Sequence, residues 1–87
     1  MLFRSADGDW LGAERDYRAA IERAGGSHAA AQNNLAMVLL ERGCAAESLV
    51  EANAALASLA PGDPLAESVS DTARQAQERL AAGDRCR

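Results

Sequence analysis

Apolar residues recur three or four positions apart along most of the chain, and the pattern breaks at glycine and proline. Trp10, Ala13, Tyr17, Ala20, Ile21 and Ala24 form one stripe, so a helix is predicted over 9–24, ended by Gly25-Gly26. Glu14 and Arg18 stand one turn apart off that stripe, a favourable ion pair. A second helix starts after Ser27, a good N-cap residue, and runs to Arg42 before Gly43. It is apolar on more than one side. Leu35, Ala36, Val38 and Leu39 share one flank while Met37 and Leu40 reach round the other, the pattern of a helix packed between neighbours. The third runs from about Ala45 to Leu59 along Leu49, Ala52, Ala55, Leu56 and Leu59. The fourth has Asp63 as N-cap and Pro64 at its first helical position, with Leu65, Val69, Ala73, Ala76 and Leu80 on one face and Gly83 as its stop. Its other face is wholly polar. No segment alternates with period two, so the expected fold class is all-α.

Helices of similar length joined by short loops invite a test for internal repetition. The first and third match at an offset of 35: Gly8 with Gly43, Ala13 with Ser48, Tyr17 with Ala52, Ala20 with Ala55. The second and fourth match at 34: Leu35 with Val69, Ala36 with Ser70, Leu39 with Ala73. Gly25-Gly26 accounts for the extra residue as a loop insertion.

On these residues the chain resembles the tetratricopeptide repeat family. The family's second-helix signature stands here as Gly8…Ala13-x3-Tyr17-x2-Ala20, with a weaker copy at Gly43…Ser48-x3-Ala52-x2-Ala55 and Pro61 one position late. The resemblance implies antiparallel helix-turn-helix repeats in a right-handed α-solenoid fragment, about four helices plus an N-terminal stub. Residues 1–8 would be a stub of the first repeat's first helix, 9–24 its second helix, 28–60 the second repeat and 63–83 a capping helix. Because Ser48 and Ala52 replace alanine and an aromatic, the second repeat is expected to pack more loosely. Trp10-Leu11-Gly12 is a decoy for the family's first-helix motif, having the wrong spacing on the wrong helix.

Composition narrows the function. Within 87 residues, 48% are apolar, half of those alanine, and only 3% aromatic, so the core must rely on close helix approach. The longest unbroken apolar run, Leu35 to Leu40, is far short of the roughly 20 residues of a membrane span. The first residues carry no apolar stretch of a secretory signal, which fits a cytoplasmic protein. A net charge of −4 argues against nucleic acid or an anionic membrane as partner. His28 is the only histidine, at a helix start, and no metal-binding, phosphate-loop or nucleophile motif occurs. The carboxylate pairs Glu47–Glu51 and Glu67–Asp71 read as solvated faces. No catalytic residue, metal or cofactor is expected. Cys44, at a helix corner, reads as a small buried thiol, and Cys86, between Arg85 and Arg87, as a tail cysteine open to intermolecular pairing.

Two function classes remain. The first is an adaptor whose groove holds a peptide or helix of another protein. The resemblance places that groove on Ala30, Asn33, Met37, Leu40 and Glu41 of the second helix and Glu67, Asp71, Arg74 and Gln75 of the fourth. These charges sum to −2, three acids against one arginine, so a basic or amphipathic segment is the expected ligand. The family's carboxylate clamp is not reproduced: Asn34 matches its central asparagine, but Pro64 and Ser68 stand where basic residues belong. The second class is self-assembly, a homodimer closing over Trp10, Tyr17 and Ile21, which the short first repeat leaves without a covering helix. A duller reading is that the chain is a fragment of a longer repeat protein.

Overall fold

Glycine decides where the first two helices stop. The computed structural model describes residues 10–83 and Cys86, with helices α1 (Trp10–Arg23), α2 (Ala29–Glu41), α3 (Ala45–Ser58) and α4 (Leu65–Ala81), and no strand among the described residues. Gly25 and Gly43 both take φ of +79°, where an L side chain is strained. Each places two backbone N–H groups on the preceding turn. Gly25 and Gly26 donate to Glu22 and Ile21, and Gly43 and Cys44 to Leu40 and Leu39, so both ends are Schellman caps.

The helix starts use side chains. At α4 the Asp63 carboxylate accepts the Leu65 N–H at 2.8 Å, and Pro64 already has helical dihedrals, so the aspartate–proline start read from the sequence is present. At α2 the cap is His28 rather than Ser27. Its Nδ1 accepts the Ala31 N–H at 3.3 Å, while Gln32 Oε1 accepts the His28 N–H at 3.2 Å. This is a reciprocal cap in which imidazole replaces the usual hydroxyl.

Each helix packs on the next and α2 also meets α4, so α2 touches all three others. Its central place follows from its composition: eight of its thirteen residues are buried. The core gathers on its flanks. Ala36 packs with Ala52, Ala55, Val69 and Ala73, and Leu40 with Ala45 and Ala76. Leu35 and Leu39 pack with Cys44, with Tyr17 and Ile21 against them. Alanine at the contacts lets the α2 and α3 backbones approach closely. The loose packing expected at Ser48 and Ala52 is not found: both are fully buried, and the Ser48 hydroxyl donates to the Ala36 carbonyl at 2.7 Å. Small side chains at these positions tighten the contact because α2 is near enough to fill the space an aromatic would take.

The two cysteines also depart from expectation. Cys44 is fully buried, as read, but it is not a free thiol; it forms a disulfide with Cys86 of the same chain, across 42 positions. At the far end of α4, the Arg79 guanidinium donates to the Leu40 carbonyl at 3.0 Å, tying the last turns of α4 and α2 together. No helix among the described residues is long and apolar enough to cross a membrane.

Candidate partner-binding groove

Among the described residues, α1 is covered on one side only. None of its residues is fully buried, and its sole extensive helix contact is with α2. An ionic link holds it there. Glu14 pairs with Arg18 on its own helix at 2.9 Å and with Arg42 at the end of α2. Both Glu14 and Arg42 are largely screened from solvent, so this link sets the position of α1 on α2 more firmly than an exposed pair would.

The positions related by the 35-residue offset now differ in environment. Ser48, Ala52 and Ala55 on α3 are fully buried beneath α2. Their counterparts Ala13, Tyr17 and Ala20 on α1 are all partly open. The described residues therefore cover these positions of α3 more completely than those of α1.

Beside these open positions lies a concavity of about 170 Å³ between α1 and α2, lined by Trp10, Tyr17, Asn34, Met37, Val38 and Glu41. Small-molecule sites are usually about 300–1,000 Å³, so this groove suits a protruding side chain rather than a whole ligand. Its chemistry is apolar along Trp10, Tyr17 and Met37, with Asn34 and Glu41 exposed as its polar residues. Met37 is half exposed, one of three large apolar side chains left open among the described residues, with Leu11 and Val50.

The expected sites sort differently from the sequence reading. Met37 and Glu41, read as partner-binding, line the same groove as Trp10 and Tyr17, read as self-association residues. Ile21 lies deeper, packed on the Leu35–Leu39–Cys44 cluster, and Tyr17 shares that contact along part of its surface. Leu40 and Asn33, placed by the resemblance on an open face, are both buried. Leu40 turns into the contact with Ala45 and Ala76, because α2 carries neighbours on more than one side. Asn33 keeps a buried Oδ1 with no hydrogen-bond partner among the described residues. Glu67, Asp71 and Arg74 lie exposed on α4, where Asp71 and Arg74 pair with each other at 2.9 Å, and none of the three lines the groove. Ala30 and Gln75 are exposed and equally outside it. Val38 entered the sequence reading only as a core residue. Its spacing of four from Asn34 and three from Glu41 puts all three along one edge of α2, a signal that was present but ambiguous.

A second cluster sits at the α2–α3 corner. Cys44 Sγ, Cys86 Sγ and a carboxylate oxygen of Glu47 lie within 4.8 Å of one another. With the sulfurs bonded to each other, neither offers a metal the thiolate it would need.

No family model matches the chain, and no curated protein or solved structure is significantly similar to it.

Proposed function

We propose that the chain is a protein-binding module of tetratricopeptide-like helical repeats, acting by binding rather than catalysis. Its groove between α1 and α2 receives an amphipathic helix of another protein. The observation that carries this reading is the concavity between α1 and α2, where Trp10, Tyr17 and the half-exposed Met37 gather apolar surface beside the exposed Glu41. The ligand helix would set an apolar side chain against Trp10, Tyr17 and Met37. A basic residue of the ligand would face Glu41, whose exposed carboxylate belongs to no ion pair among the described residues.

Self-association is the second reading, since Trp10 and Tyr17 line this same groove and a second copy could supply the covering helix.

Trp10 is the only tryptophan and so reports on the groove directly. A helical peptide with a leucine face and flanking arginines, titrated into the protein, should change Trp10 fluorescence saturably. Met37→Glu places a charge where the apolar side chain must sit and should weaken that binding by about tenfold or more. A concentration-dependent dimer in light scattering, lost in Met37→Glu, would assign the groove to a second copy instead. Absence of both peptide binding and dimerisation would refute the groove as a docking site.

A further inference from the structure

The Cys44–Cys86 disulfide joins two very different environments. Cys44 is fully buried against Leu35 and Leu39, whereas Cys86 is exposed. Cys44 is also the N-cap residue of α3, and its side chain makes no capping hydrogen bond. Burial against Leu35 and Leu39 disfavours a thiolate there, whereas the first-turn N–H groups of α3 favour one. Glu47 opposes this in part. It stands in the first turn of α3, with a carboxylate oxygen 3.8 Å from Cys86 Sγ.

We propose that Cys86 is a thiol-exchange site at which low-molecular-weight thiols enter, so that the disulfide is a reversible staple with a fixed direction of opening. Thiol–disulfide exchange needs an attacking thiolate in line with one sulfur and a stable thiolate leaving from the other. Burial closes Cys44 to attack, and Cys86 is the exposed half of the bond. The incoming thiolate forms a bond to Cys86 Sγ as the Cys44–Cys86 bond breaks. The bonding pair departs on Cys44 Sγ, which leaves at the N-terminus of α3 and then takes a proton from solvent. A second thiol displaces Cys86 from the mixed disulfide. The products are two protein thiols and one oxidised thiol dimer, with two electrons supplied by the two entering thiols. Oxidation reverses the sequence: the mixed disulfide on Cys86 is resolved by Cys44. Glu47 repels the entering anion and acts as a brake.

The test uses the oxidised wild-type chain with glutathione as the probe. After graded exposure, acid quenching and alkylation, peptide mass mapping should find the glutathione adduct on Cys86 and a free, alkylated Cys44. Glu47→Gln, an exposed substitution, should speed opening roughly fivefold, the effect of one unit charge about 4 Å away in water. Return to oxidised glutathione should restore the intramolecular bond in a monomer. Adducts on Cys44, or equally on both residues, would overturn the assigned direction. A bond that survives glutathione levels opening an exposed control disulfide would make the staple purely structural, against the proposal.

Discussion

The Ser48 hydroxyl donates to the Ala36 carbonyl oxygen across the α2–α3 contact, at 2.7 Å and out of reach of water. The bond lets a polar side chain occupy a position whose counterpart 35 residues earlier is Ala13. Ser48→Ala would remove the donor and leave the carbonyl its own helical partner, so the loss should be small, about 0.5–1.5 kcal/mol. Ser48→Val, which adds bulk without a donor, should cost about 1–3 kcal/mol more through overpacking. Urea midpoints at unchanged slope would check both values.

The related positions Ala20 and Ala55 should respond differently to the same change. Ala55→Leu forces extra volume into the contact with Ala36 and Val69 and should destabilise by about 1–3 kcal/mol. Ala20→Leu extends from a partly open site and should stay within about 0.5 kcal/mol. Equal losses at the two positions would show that α1 is covered in solution as α3 is.

Opening the disulfide should lower stability. In the chain-entropy model a closed loop of this length, 42 positions apart, constrains the unfolded chain by about 4 kcal/mol. Losses nearer 2–4 kcal/mol are expected, because the denatured chain keeps some order. Cys86→Ser should reproduce the loss and abolish sensitivity to reductant, which thermal melts with and without a phosphine would show.

The Glu14–Arg42 pair should matter more for position than for stability. A double-mutant cycle with Glu14→Gln and Arg42→Met is expected to give a coupling of about 0.5–1 kcal/mol, weakened by salt. The same variants should shift the emission of Trp10, since α1 would be freer to move on α2.

Much of this fold was legible because its punctuation is local. Gly25-Gly26, Gly43 and Asp63-Pro64 each act on the adjoining turn, so they mark helix ends without knowledge of the tertiary structure. The central role of α2 was legible too, from apolar residues on more than one side. Which of those sides stays open was not. Met37 and Leu40 are three residues apart, both unbranched at Cβ and similar in size, and only the placement of α3 and α4 buries one and spares the other. The His28 cap escaped because Ser27 is the stronger capping residue by type, and backbone geometry made the choice. The disulfide escaped because two cysteines so far apart in sequence carry no sign of their meeting in space. The groove was half legible: its residues were found but divided between two sites, since sequence order does not say that Trp10 and Tyr17 line one concavity with Met37 and Glu41.

The disulfide has a mechanical consequence as well. It closes everything between Cys44 and Cys86, both α3 and α4, into a covalent ring, with α1 and α2 as a linear arm. Tension between the two ends of the chain runs along the arm and through the sulfur–sulfur bond, bypassing the ring. Stretching the oxidised molecule would therefore strip α1 and α2 from α3 and α4, whose backbone between the cysteines lies outside the line of tension; cleaving the bond would add the ring's full contour to the extension.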